Sequence, residues 1–111
     1  MKFAELLDRW AHTPPIMKTA RQYGVHLGVE DAARIHALSE MFPGRSAEDL
    51  ITDLLSVALQ ELEGAMPYRP GVKVISQDEQ GDPIYEDVGP TPRFVALVRK
   101  YREQIARGGS V

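Results

Sequence analysis

Apolar residues recur at helical spacing in four stretches of the chain. The spacing i, i+3, i+4, i+7 is typical of an amphipathic helix with one buried face. It predicts a short helix at the start of the chain and further helices at about 29–41, 47–63 and 93–106. The first of these carries Phe3, Leu6, Leu7 and Trp10.

Residues that favour helix ends flank three of these stretches. Pro43 closes the second helix, because proline cannot continue the backbone hydrogen-bond ladder. Ser46 is a good N-cap for the third helix, and Asp49 stands at the capping-box position three residues later. Thr91 and Pro92 predict the N-cap and the first helical residue of the last helix.

The third helix carries an apolar stripe of double width. Its members follow the spacing i, i+1, i+4, i+5, i+8, i+9, i+12, whereas a single neighbouring helix needs only a narrow stripe. The members are Leu50, Ile51, Leu54, Leu55, Ala58, Leu59 and Leu62. The helix preceding it can cover one side, so the pattern predicts a second covering element for the other.

A short alternating stretch lies between the first two helices. Tyr23, Val25 and Leu27 alternate with Gly24 and His26, which is the period of a half-buried strand. A strand needs a partner for its backbone N–H and C=O groups. A β-hairpin is predicted further along, with strands at 72–77 and 84–88 around a polar loop. The partner is therefore either strand 72–77, in a three-stranded α+β module, or the same strand of a second chain.

Composition fits a single small soluble domain of 111 residues, with 43% hydrophobic and 26% charged residues. No apolar run approaches the ~20 residues of a membrane span. Glu5 and Asp8 interrupt the apolar N-terminal stretch, which argues against a secretory signal. The chain has no cysteine, which suits a reducing compartment. We expect a cytoplasmic protein without membrane contact.

Candidate chemistry is sparse. No nucleophile–base pair, carboxylate dyad or phosphate-cradling glycine loop stands out, and His12, His26 and His36 lack metal-ligand spacing. We therefore expect no enzyme activity, no metal and no cofactor. The net charge of −3 is unusual for a nucleic-acid binder. However, no acidic residue occurs from Arg9 to Val29, so the predicted strand lies in a locally favourable segment.

The order strand, helix, turn, helix over residues 21–63 resembles the ribbon-helix-helix family of DNA-binding proteins. The resemblance is carried by the alternating "QYGVHL", by the strand-to-helix step "LGVED" and by "GRSAEDLITDLL". It covers about two fifths of the chain. In this family the strand pairs antiparallel with the same strand of a second chain, and the helices of both chains interlock beneath the ribbon.

The resemblance implies a mainly α fold with a small β component. A ribbon-helix-helix core (21–63) would form an intertwined homodimer, preceded by an N-terminal helix and arm (1–20) and followed by a hairpin and helix (67–111), all within one domain. The implied dimer core consists of Tyr23, Val25, Leu27, Ile51, Leu55 and Leu59.

The resemblance also implies a DNA-reading surface. The strand face away from the core would enter the major groove, where glutamine pairs with adenine and protonated histidine donates to guanine. This places base reading on Gln22, Gly24 and His26. Phosphate contacts fall to Lys18, Arg21, Arg45, Ser46 and Ala47, the last two at a helix start.

Two functions follow as expectations. The first is a dimeric DNA-binding transcriptional regulator, autoregulatory or antitoxin-like, with residues 67–111 available to a protein partner. The second is a ribbon-helix-helix-like dimer that has lost DNA binding and acts as a protein-interaction module. Gly24 and Glu48 distinguish them, because the glycine offers no side chain to a base and the glutamate repels phosphate.

Overall fold

A computed structural model describes residues 2–12, 19 and 21–108. Its elements follow in the order α1 (Phe3–His12), α2 (Val29–Met41), α3 (Ala47–Ala65), β1 (Pro70–Gln77), β2 (Pro83–Asp87) and α4 (Pro90–Ala106). The predicted mixture of four helices and one small hairpin is confirmed, and the described part of the chain is mostly helical. The chain divides into two compact units, Met1–Leu62 and Glu63–Val111. The division falls close to the junction between the predicted core and its extension.

The N-terminal unit has its core between α1, α2 and α3. Leu6 and Trp10 lie one helical turn apart on α1, and Leu50 and Val57 lie two turns apart on α3. The ring of Trp10 meets Phe42 edge-on, with 5.7 Å between centroids and an interplanar angle of 60°. Such edge contacts add to the hydrophobic gain of burial. The buried hydrophobic residues are Leu6, Trp10, Ile35, Leu50 and Val57.

The turn between α2 and α3 forms as the sequence predicts. The amide of Phe42 donates to the carbonyl of Leu38 at the end of α2. Ser46 Oγ then accepts a 3.1 Å hydrogen bond from the amide of Asp49, and the Asp49 carboxylate accepts one of 3.4 Å from the amide of Ser46. This reciprocal pair is the predicted capping box, and it defines the start of α3.

The C-terminal unit contains an antiparallel hairpin and α4. Val74 pairs with Tyr85 across the strands, with irregular register on either side of Val74. The turn is closed by Asp78, whose Oδ1 accepts 2.9 Å hydrogen bonds from the amides of Gln80 and Asp82. Gly81 completes it with φ of +83°, a backbone conformation that favours glycine.

The start of α4 differs from the sequence prediction. The helix begins at Pro90, with Gly89 at the N-cap, so Thr91 lies inside the first turn and is not the cap. Both prolines fit because the first amides of a helix have no intrahelical acceptor. Asp87 holds this start, since its Oδ1 accepts the amides of Gly89 at 2.8 Å and Arg69 at 3.1 Å.

Residues 21–28 belong to no helix or strand of the single chain. The sheet has two strands, and β1 pairs with β2. The predicted alternative, in which residues 21–27 pair with 72–77 as a third strand, is therefore not found in the described residues. Within the same part of the chain, no backbone–backbone hydrogen bond involves residues 22–27.

Candidate nucleic-acid interface and dimer surface

The predicted ribbon segment is open to solvent in the single chain. Gln22, Gly24 and His26 are exposed, as a base-reading role requires. Tyr23 and Val25 are exposed as well, by 61% and 68%. Apolar side chains at that exposure are a liability unless another surface covers them.

The side chains of Arg21 and Tyr23 lie on one side of this segment. The guanidinium of Arg21 stands 4.9 Å from the centroid of the Tyr23 ring, within the range of a cation–π contact. Residues two apart share a side in strand-like backbone, so the contact agrees with the predicted alternation. Arg21 therefore lies on the side of the apolar residue Tyr23 and not on the predicted base-reading side.

Gly24 occupies open space. A Cβ built on it would have no heavy atom within 4 Å, and its φ lies outside the left-handed region. Neither sterics nor backbone conformation of the single chain requires glycine at this position. The middle position of the predicted reading face therefore has no side chain, although the fold of the single chain would accept one there.

The start of α3 is the predicted phosphate contact. The capping box engages the amides of Ser46 and Asp49 with side-chain oxygens. The amides of Ala47 and Glu48 lie in the same first turn, where helix N–H groups lack intrahelical acceptors. The first turn also carries the carboxylates of Glu48 and Asp49. An anion here would meet two backbone donors and two negative side chains.

Arg45 is placed differently from the sequence prediction. It is only 6% exposed, and its guanidinium donates to the backbone carbonyls of Trp10 at 3.2 Å and Arg9 at 3.1 Å. One of its nitrogens lies 3.8 Å from Oδ2 of Asp53. The side chain links α1 to α3 and points into the core, so Arg45 is not placed to contact a phosphate as the sequence predicted. Lys18, also in that set, lies outside the described residues.

The double stripe of α3 divides into two lines. Leu50 of the stripe is buried, and Leu54 packs half-buried against the core. Val57, which the predicted stripe omits, is also buried, whereas Ala58, which it includes, is exposed. Ile51 is half-buried, while Leu55 and Leu59 are 56% and 47% exposed. The second line continues to Leu62, which is also exposed. One side of the stripe is therefore covered within the chain, and the other side is an apolar surface.

A buried polar cluster was missed by the sequence analysis. The indole N–H of Trp10 donates a 2.7 Å hydrogen bond to Oδ2 of Asp53, which is 2% exposed. The sequence analysis places Trp10 on the apolar face of the first helix and does not predict this hydrogen bond. One signal was present: Asp53 lies between Leu50 and Val57 on the line that faces the core, where an acid is rarely buried without a partner.

Other site types have no support in the part of the chain that is described. No group of three or more histidines or acids there could hold a metal ion. None of the described helices is both long and apolar enough to cross a bilayer. Comparisons of the sequence with protein families and with characterised proteins, and of the fold with solved structures, find no match.

Proposed function

We propose that this chain acts as a homodimeric DNA-binding transcriptional regulator of the ribbon-helix-helix type. The observation that carries the proposal is the segment 21–28, which leads directly into α2 and has no strand partner among the described residues of its own chain. Its alternate apolar residues are exposed. A second copy of the same segment, related by two-fold symmetry, would satisfy both the backbone groups and the side chains.

The exposed line of α3 supports the same dimer. Ile51, Leu55 and Leu59 recur every four residues on one side of the helix and lack full cover within the protomer. In an intertwined dimer they would pack beneath the paired ribbon against the same residues of the partner. A single symmetry operation then accounts for two separate apolar surfaces.

On the outer face, the paired segments would present Gln22 and His26 of each protomer to the major groove. Glutamine reads adenine bidentately, and protonated histidine donates to guanine. Arg21 would approach the phosphates at each end of the ribbon, and the amides of Ala47 and Glu48 would add helix-start donors. The base contacts would carry specificity, and the few cations would supply a modest electrostatic attraction.

A second candidate function is a dimer of the same kind that does not bind DNA and acts as a protein-interaction module. It is favoured by the first turn of α3, where Glu48 and Asp49 are negative and two backbone donors already serve the capping box. Gly24 also favours this second function, because it offers no side chain to a base although the space around it is open. In this version the ribbon face binds a protein.

Selection from a random duplex library tests the DNA-binding proposal. We expect enrichment of a palindromic site at low salt and pH 6, because two-fold protein symmetry reads two equal half-sites. Gln22→Ala should then weaken the enriched site by ~1–3 kcal/mol and relax preference at one base pair per half-site. Gln80→Ala, exposed in the turn of the hairpin, is the matched control. If no sequence is enriched, the protein-interaction function replaces this one.

A further inference from the structure

Helix α4 carries an apolar face that the described part of its own chain leaves exposed. None of its residues is buried. A shallow apolar depression runs along this face and is lined by α4 alone, through Phe94, Leu97, Val98, Tyr101, Arg102 and Ile105. A stable amphipathic helix needs this face covered, because tertiary packing supplies most of its stability.

The charges beside this face are positive. At about 100° per residue, Arg93 and Lys100 flank one side of the apolar face and Arg102 flanks the other. Glu103, the one acidic residue of α4, falls on the opposite side. A second α4 would therefore bring like charges together along both borders, which disfavours helix-to-helix self-pairing. The face selects a surface that is apolar and acidic.

The hairpin of the same unit has those properties. Val74, Ile75 and Ile84 are exposed apolar residues on its strands. Its acidic residues are Asp78, Glu79 and Asp82 in the turn region, and Glu86 and Asp87 on β2. Because Val74 and Ile84 stay exposed together with Leu97 and Tyr101, α4 does not cover the hairpin within one protomer.

We propose that α4 of one protomer packs on the hairpin of a second copy, reciprocally. Two contacts of the same kind would then close around a two-fold axis, as isologous interfaces do. The basic borders of α4 would meet the acidic residues of the partner's hairpin, and both exposed apolar surfaces would be covered without another protein. The inference rests on the proposed homodimer and adds a second contact between its protomers.

Cross-linking between engineered cysteines tests the contact, since the natural chain has none. Full-length Val74→Cys and Tyr101→Cys chains, each with a tag of different mass, are mixed, refolded together and treated with a short bismaleimide. We expect a covalent heteropair on a denaturing gel. Ala96→Cys replaces Tyr101→Cys in the control, because Ala96 is exposed on the side of α4 away from the apolar face.

A charge test accompanies the cross-link. Lys100→Glu with Arg102→Glu should lower the heteropair yield roughly twofold to tenfold, as expected when two exposed ion pairs are lost. Glu103→Lys, on the opposite side, should leave the yield unchanged. Circular dichroism confirms that each variant is folded before it is scored.

The outcomes separate this inference from the proposed dimer. Sedimentation of the untreated chain reports the dimer itself. A dimer that yields no heteropair, or yields it equally with Ala96→Cys, overturns the α4–hairpin contact and leaves the ribbon dimer standing. A Val74→Cys/Tyr101→Cys double variant that cross-links only within one chain also overturns it. A monomer in sedimentation overturns the dimer and, with it, this contact.

Discussion

The indole N–H of Trp10 and the carboxylate of Asp53 are joined by a buried 2.7 Å hydrogen bond that spans 43 positions in sequence. Arg45 completes the cluster, with its guanidinium 3.8 Å from the same carboxylate oxygen and bonded to two carbonyls near the end of α1. The three side chains tie α1 to α3 and to the turn that precedes it. Such a cluster stabilises only while every member is paired.

Removing the carboxylate should destabilise the N-terminal unit strongly. Asp53→Ala would remove the acceptor of the buried Trp10 N–H and the buried negative charge beside Arg45, at a cost of about 3–5 kcal/mol. Asp8→Ala, at an exposed position of α1, should change stability by no more than about 0.5 kcal/mol. Urea unfolding followed by fluorescence measures both, because Trp10 is the one tryptophan of the chain. Equal midpoints for the two variants would contradict the structural role of the cluster.

A charge on the exposed line of α3 should separate the proposed dimer. Leu59→Asp would place one charge from each protomer in the apolar interface of a symmetric dimer. The dissociation constant of the dimer should therefore rise roughly 100-fold or more. The protomer core of Leu6, Leu50 and Val57 does not include Leu59, so we expect a folded monomer of lower stability. Sedimentation equilibrium measures the constant, with Ala33→Asp, at an exposed position of α2, as the control for the added charge. A Leu59→Asp chain as dimeric as the control would place the interface elsewhere.

A side chain at Gly24 should improve DNA binding. Gly24→Arg meets open space and a φ outside the left-handed region, and it would add a guanine-reading donor at the centre of the proposed reading face. We expect affinity for guanine-containing sites to rise roughly tenfold, with no loss of thermal stability. Gly64→Arg adds the same charge at the end of α3, also into open space, and should leave specific affinity nearly unchanged. An equal rise in affinity for the two variants would show that the added charge acts generally and that position 24 does not contact a base.

The side chain of His26 should contribute to the binding of an enriched DNA site. An imidazole N–H can donate a hydrogen bond to guanine in the major groove, so His26→Ala should weaken affinity by ~1–3 kcal/mol. His36→Ala, at an exposed position of α2, should leave affinity nearly unchanged. Fluorescence anisotropy measures both affinities, and equal affinities for the two variants would remove His26 from the proposed interface.

Local sequence was sufficient for most of the secondary structure. The bounds of α2 and the start of α3 follow from apolar spacing and from the Ser46–Asp49 capping pair, which act over a few residues. The sequence analysis missed the start of α4 because the side chain of Asp87, on β2 and outside the helix, accepts the amide of Gly89; the amide of Arg69 donates to the same carboxylate oxygen. The residues of the helix itself do not reveal such a cap, because the capping side chain precedes the helix.

The sequence by itself determined where the helices form, that residues 23–27 alternate and that α3 carries a double apolar stripe. Only the tertiary structure decided which leucines face the protomer core and that Arg45 points inward to Asp53 rather than outward to a phosphate. The physical reason is the separation in sequence over which each interaction acts. Periodicity and capping are set by neighbours within about one or two turns, whereas a buried ion pair depends on elements that meet only after the chain has folded.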